Sequence, residues 1–180
     1  MTQAKERPTE GVVLALGPGK IHPDTGVRIT NPIQEGDSVL YGKFSGQPIV
    51  YNEEQCQMIC DDDVMMYYDG VSMTLDNVVP CRDYVLLELA EESLETSSGI
   101  AIAAMVTKED LPCEGIVAKV GEGRMASTGE VTKPPVQVGE KVKFKDYAGN
   151  DVVIVRKPYS LVQMVDMLCS MPLDTEEDDE

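Results

Sequence analysis

Five cysteines, at positions 56, 60, 81, 113 and 169, and one histidine, His22, are the side chains best suited to metal binding or nucleophilic catalysis. Their spacing supports neither. No pair is separated by two residues, the cysteine count is odd, and nothing near Cys56 and Cys60 completes a ligand set. A Cys/His catalytic pair would rest on His22 alone, which lies in a segment rich in turn residues (HPDTG, residues 22–26). The cysteines therefore read as structural thiols of a reducing compartment. Carboxylates are abundant, 32 Asp and Glu in 180 residues, but no pair is marked out for acid–base work. Two Gly-x-Gly segments, at Gly17 and Gly19 and at Gly121 and Gly123, invite comparison with a phosphate-binding turn. A dinucleotide fingerprint needs a third glycine and a following helix, and neither is present. The chain reads as a non-enzyme, with no catalytic residue, no metal site and no bound cofactor.

The charge balance excludes further classes. The net charge is −17, and six carboxylates sit in the last seven residues (DTEEDDE, 174–180), which read as an acidic disordered tail over 173–180. Binding to nucleic acid relies on Lys and Arg neutralising phosphates, so a nucleic-acid partner is not expected. No apolar run reaches the roughly 20 residues of a membrane span. The polar start, MTQAKERPTE, is not a secretory signal.

The elements that would position any site come from an internal repeat. Residues 10–20 (EGVVLALGPGK) match residues 114–124 (EGIVAKVGEGR) at an offset of 104. Residues 32–46 (PIQEGDSVLYGKFSG) match residues 135–149 (PVQVGEKVKFKDYAG) at an offset of 103. Val12, Leu14 and Leu16 alternate, as do Ile116, Ala118 and Val120, which is the period of a strand. Hairpin tips are expected at 22–26 and 125–129, and tight turns at Gly36-Asp37 and Gly139-Glu140. No window holds a 3.6 period over twelve residues, so helix is scarce. Residues 64–68 and 161–168 read as matching short helical or extended ends. The fold class is all-β: two β-barrel units in tandem, each with hairpin insertions.

The second copy has a front end that the first lacks. Residues 79–89 (VPCRDYVLLEL) read as one strong strand. Residues 90–112 follow, with polar flanks around an apolar island, GIAIAAMV (99–106). A stretch that long without regular structure is usually functional or disordered. A buried strand fits its Ala-rich pattern and polar flanks poorly. The first copy has only nine residues ahead of its repeat, so it has no counterpart of the 79–89 strand or of the apolar island, and residues 2–9 match only the descending arm, 106–113. A barrel lacking one strand has an open edge. Either another segment fills it or the natural chain extends upstream, and upstream extension is the expectation.

These residues resemble the GroES-type co-chaperonin family. The likeness rests on residues 80–87 (PCRDYVLL), 98–102 (SGIAI), 115–124 (GIVAKVGEGR), 138–142 (VGEKV) and 147–149 (YAG), in that order. The chain differs from the family pattern at Tyr84, Ser98 and Ala101. Two units in one chain resemble the tandem form of chloroplasts. The resemblance implies an N-terminal unit at 1–70, incomplete at its N-terminus. It implies a C-terminal unit at 71–172, complete, with a mobile loop at about 90–112. It further implies that Gly99, Ile100, Ala101 and Ile102 dock on the apical domains of a GroEL-type chaperonin. The chain would then cap a folding cage and assist ATP-dependent folding, with the ATP on the chaperonin and not on this chain. Other co-chaperonin subunits would join it in a ring. Cages of this type are seven-fold, and a two-unit chain does not tile seven positions evenly, so mixing with single-unit subunits, or one unused unit, is expected. The implied location is the plastid stroma. The alternative is a GroES-like adaptor or structural subunit of another assembly.

Overall fold

Alternating aliphatic residues and frequent Gly turns give a chain of short strands. The computed structural model describes residues 8–29, 31–89, 113–126, 128–145 and 148–171. No α-helix occurs among them. The earlier strands are β1 (Thr9–Val12), β2 (Lys20–Ile21), β3 (Arg28–Ile29), β4 (Ser38–Tyr41), β5 (Gln47–Tyr51), β6 (Glu54–Met58) and β7 (Val64–Tyr68). Then come β8 (Val78–Pro80), β9 (Tyr84–Leu89), β10 (Cys113–Val120), β11 (Arg124–Met125) and β12 (Val131–Thr132). The last are β13 (Lys141–Phe144), β14 (Asn150–Ile154), β15 (Lys157–Gln163) and β16 (Met167–Met171). One sheet has the order β1-β4-β7-β8 and the other β14-β15-β9-β10-β13-β16, all pairs antiparallel. The pairs β2–β3, β5–β6 and β11–β12 form separate hairpins.

The repeat is visible in the hydrogen bonding. Gly11 lies opposite Val39 in β1–β4, and Gly115 lies opposite Val142 in β10–β13. The Val13 amide donates to the Asp37 carbonyl, and the Gly36 amide donates back to Val13. Val117, Glu140 and Gly139 repeat that exchange. The β5–β6 turn at Asn52-Glu53 and the β14–β15 turn at Val155-Arg156 both place two consecutive residues at positive φ, as a tight hairpin turn requires.

Two expectations are refined. Residues 64–68 are a strand. Residues 161–168 are neither one helix nor one strand: β15 runs to Gln163, a 3₁₀ turn spans Met164–Asp166, and β16 follows. The single strand expected over residues 79–89 is two. The chain turns at 81–84, where the Tyr84 amide donates to the Cys81 carbonyl and Arg82 takes φ 52°. The polar pair Arg82-Asp83 interrupts the hydrophobic run at this break, but the strong alternation of Val85, Leu87 and Leu89 beyond it overshadows that signal.

The break splices the two halves together. β8 pairs with β7, and the Cys81 amide donates to the Met65 carbonyl at 2.9 Å. Arg82 then reaches back to Asp61 at 2.7 Å and Asp62 at 2.9 Å. Lys119 donates to the carbonyls of Asp76 and Val78. Beneath these contacts lies one core drawn from both halves. Leu40, Met65, Met66 and Tyr68 pack with Val78, Leu86, Val152, Ile154, Tyr159 and Leu161. A second core lies wholly among later strands: Val85, Leu87, Val117, Val142, Phe144 and Val162.

Candidate functional site

The expected docking residues Gly99, Ile100, Ala101 and Ile102 lie outside the described residues, as does all of 90–112. The structure does describe what holds that segment at each end. Leu89 closes β9 and Cys113 opens β10, and these strands are antiparallel neighbours, with Leu89 opposite Gly115. Adjacent strands lie about 5 Å apart. The 23 intervening residues therefore leave and return at nearly the same place. Ala101 is the midpoint of 90–112, so the apolar tripeptide is the part farthest along the chain from both anchors. At full extension the midpoint reaches roughly 35–40 Å from the base.

The base is rigid for identifiable reasons. Val85 and Leu87 of β9 are fully buried, and Val117 of β10 nearly so, against Val142 and Phe144. Gly115 lets the strands close together: a Cβ there would lie 2.9 Å from the Leu87 Cβ. Above this core, each anchoring strand carries a carboxylate gripped by lysine. Glu114 of β10 meets Lys141 at 2.6 Å and Lys143 at 2.8 Å. Those two ammonium groups, Lys141 foremost, pull its carboxyl down to about 2. Glu88 of β9 meets Lys157 at 3.1 Å and accepts a long hydrogen bond from the Tyr159 hydroxyl. The pairs tie β10 to β13 and β9 to β15, so charge reinforces pairing on both sides of the base.

Among the described residues of the first half this base has no counterpart. There β1 repeats β10, and Glu10 stands where Glu114 stands, but Ser38 and Leu40 replace the two lysines. Glu10 instead accepts from the Tyr68 hydroxyl. Burial and that neighbouring carboxylate raise the Tyr68 pKa.

His22 is buried in its hairpin, and its Nδ1 accepts from the Asp24 and Thr25 amides at 3.3 Å each, a structural role. Cys56, Cys60, Cys81 and Cys169 are free thiols. Burial, with the Glu122 carboxylate second, pushes the Cys81 thiol up to about 12, which makes it a poor nucleophile. Among the described residues no three His, Cys, Asp or Glu side chains gather as a metal site, and no helix is long and apolar enough to cross a membrane. The features that sequence reasoning missed are the lysine grip on Glu114 and the Arg82 clamp. The first was accessible in principle, since Lys141 and Lys143 alternate on a strand facing Glu114. The second depends on the turn at 81–84, which the sequence marks only by the polar pair Arg82-Asp83.

The family described as the Chaperonin 10 Kd subunit matches the chain twice, over residues 2–68 and 77–171. The 20 kDa chloroplastic chaperonin of Arabidopsis thaliana is 30% identical over 150 residues, covering 82% of this chain and 56% of that protein. The protein of the same description from Spinacia oleracea is 30% identical over 152 residues, covering 83% and 56%. The co-chaperonin GroES of a Geobacillus strain, WCH70, is 37% identical over 89 residues, which is 49% of this chain and 93% of GroES. The chain thus spans a little over half the length of the two chloroplastic relatives, and about half of the chain accounts for nearly all of GroES.

Proposed function

Because the chain belongs to the chaperonin 10 kDa subunit family, in tandem form, we propose that it is a co-chaperonin whose 90–112 segment docks on a GroEL-type chaperonin and helps close a folding cage. The observation that carries this reading is the placement of the apolar tripeptide. Ile100, Ala101 and Ile102 sit at the midpoint of a segment whose ends are fixed on neighbouring, well-packed strands. Gly99 supplies the turn into the apical groove, and Ile100 and Ile102 supply the apolar contact. ATP binds and is hydrolysed on the chaperonin.

Magnitudes explain why such a subunit works in a ring. Burying two Ile side chains contributes roughly 3–6 kcal/mol. Fixing five backbone residues costs on the order of 5–10 kcal/mol. Strand-like hydrogen bonds to the groove offset part of the difference, and a single segment binds weakly. Several on one ring bind through effective concentration and still release when the chaperonin changes state.

The splice within this chain supports a mode of assembly. β8 covers the outer edge of β7. The repeat counterpart of β7 is β16, whose inner edge pairs with β13. Among the described residues nothing pairs with its outer edge, along which Cys169 is exposed. A β8-like strand of a further co-chaperonin subunit fits there, and single-unit subunits complete the seven-fold count. The plastid is the location, in keeping with the chloroplastic relatives.

The test is a chaperonin pull-down with and without ATP, comparing the intact chain with an Ile100→Asp, Ile102→Asp double variant. Nucleotide-dependent capture that disappears in the variant supports the proposal. Capture that survives in the variant overturns the assignment of the docking residues. No capture of the intact chain favours an adaptor role in another assembly.

A further inference from the structure

Alternation along β10 breaks once. Val117 lies opposite Leu87 of β9, and both belong to the core confined to later strands. A regular strand would send position 119 to that same face. Instead the register shifts between Val117 and Lys119, which leaves Ala118 as an extra residue and sets Lys119 opposite Leu86. Leu86 belongs to the core drawn from both halves. Val120, opposite Val85, then returns to the face of Val117. The bulge therefore spares one core a lysine and turns that lysine toward the face that the halves share.

Lys119 meets organised acceptors there. Residues 69–77 connect β7 to β8 and fold around Asn77, whose side-chain amide donates to the Asp69 carbonyl at 2.7 Å and the Ser72 carbonyl at 3.0 Å. Its Oδ1 accepts from the Thr74 amide at 2.8 Å. The carbonyls of Asp76 and Val78, the residues on either side of Asn77, both accept from the Lys119 ammonium, at 3.1 and 2.9 Å. The repeat counterpart of Lys119 is Ala15, so this tie belongs to the joined chain and not to the repeat. Just beyond it, the Gly121 amide donates to the Tyr84 carbonyl at 2.9 Å and the Gly123 amide to the Arg82 carbonyl at 2.8 Å. A Cβ at Gly121 would collide with the Arg82 carbonyl oxygen, so the chain passes the splice in close contact.

One end of β10 thus holds the 90–112 segment, and the other is fastened to the junction between the halves. Lys119 lies six residues beyond Cys113, roughly 20 Å along the strand. We infer that Lys119 is a positioning residue that makes β10 a link between these two places, so that docking at 99–102 and packing at the junction respond to each other. Binding that steadies the base of the segment steadies residues 76–81, and a steadier junction favours binding in the same measure. The link itself rests on the geometry of the described residues. Its use in docking rests on the proposed co-chaperonin role.

The test compares the full chain with Lys119→Met, which keeps the apolar stem and removes the donor, and with Lys119→Arg, which keeps charge and donors. Circular dichroism confirms that each variant folds. Hydrogen exchange is read at the Val78 and Cys81 amides, which donate to the carbonyls of Thr74 and Met65, in the free chain and with a GroEL-type chaperonin and ATP. In the intact chain the chaperonin is expected to slow both amides by about fivefold or more, the lower end of ordinary coupling between sites. Lys119→Met is still captured, because residues 99–102 are unchanged, but the slowing at Val78 and Cys81 is lost. Lys119→Arg restores it, which a general loss of stability would not allow. Capture of the intact chain without slowing overturns the inference, as does slowing that persists in Lys119→Met. If the intact chain is not captured at all, the co-chaperonin reading fails and the free chain decides the link. There Lys119→Met must speed exchange at Glu114 and Gly115, at the far end of β10, and unchanged exchange at those amides overturns it.

Discussion

Leu86→Ala tests whether the two halves are energetically one body. Leu86 is fully buried, with the first half's Leu40, Met66 and Tyr68 and the second half's Val78, Ile154 and Leu161 in the same core. Truncation removes the apolar surface of its outer carbons and leaves a cavity that relaxes only partly, at a cost of about 3–5 kcal/mol. In a chain of this length each kcal/mol lowers the midpoint by about 2–4 °C, so the expected loss is roughly 6–20 °C. Circular dichroism reads that shift, and fragment-resolved hydrogen exchange reads its distribution. Because the cavity wall is shared, protection falls in β4 and β7 as well as in β14 and β15. Val142→Ala, in the core confined to later strands, weakens β10 and β13 first. If Leu86→Ala leaves β4 and β7 at wild-type exchange rates, the shared core is not an energetic unit and the reasoning fails.

Arg82→Ala removes both ion-pair contacts across the splice and is expected to destabilise by about 1–3 kcal/mol. A double-mutant cycle with Asp61→Asn in denaturant unfolding checks it, and zero coupling contradicts the clamp. The Glu114 carboxyl sits at about 2 against an ordinary 4.5 because Lys141 and then Lys143 favour its charged form. A depressed acid contributes stability above the unfolded value and loses it as pH falls from 4.5 toward 2. Side-chain NMR titration of a Lys141→Met, Lys143→Met variant should show Glu114 back near its ordinary value, and a titration unchanged at about 2 would exclude the lysine cause. Exposed Cys60 and Cys169 react with a thiol reagent in the native chain, while Cys81, buried and raised to about 12, reacts only after unfolding. The raised thiol also makes stability fall as pH climbs from 9 toward 12. Native-state labelling of Cys81 at the rate of Cys60 would refute its assignment to the core.

Much of the fold could be read from the repeat. Gly36-Asp37 and Gly139-Glu140 fall at equivalent turns with φ near 95°, and the hairpin tips at 22–26 and 125–129 lie where turn residues cluster. These features are local, and local turn chemistry is written in residue type. The turn at 81–84 was not legible, because Arg82 occupies a left-handed conformation that its residue type does not favour. The mixed core was not legible either. Met66 and Leu161 each belong to a strand whose apolar face is evident, but which strands share a core depends on the β7–β8 pairing. The anchors of the candidate site followed from the strong patterns of β9 and β10. Their lysine grip requires the register between β10 and β13, which only the folded chain supplies.

The shared core also has a consequence in time. Synthesis completes Leu40, Met66 and Tyr68 well before Ile154 and Leu161, the residues that cover them, have been made. At ordinary translation rates the interval between Met66 and Leu161 is roughly 5–20 s. Throughout it, the apolar face of β4 and β7 hangs from the ribosome with half of its covering absent. A chain of a family named for chaperonins is, during its own birth, the kind of client that needs shelter.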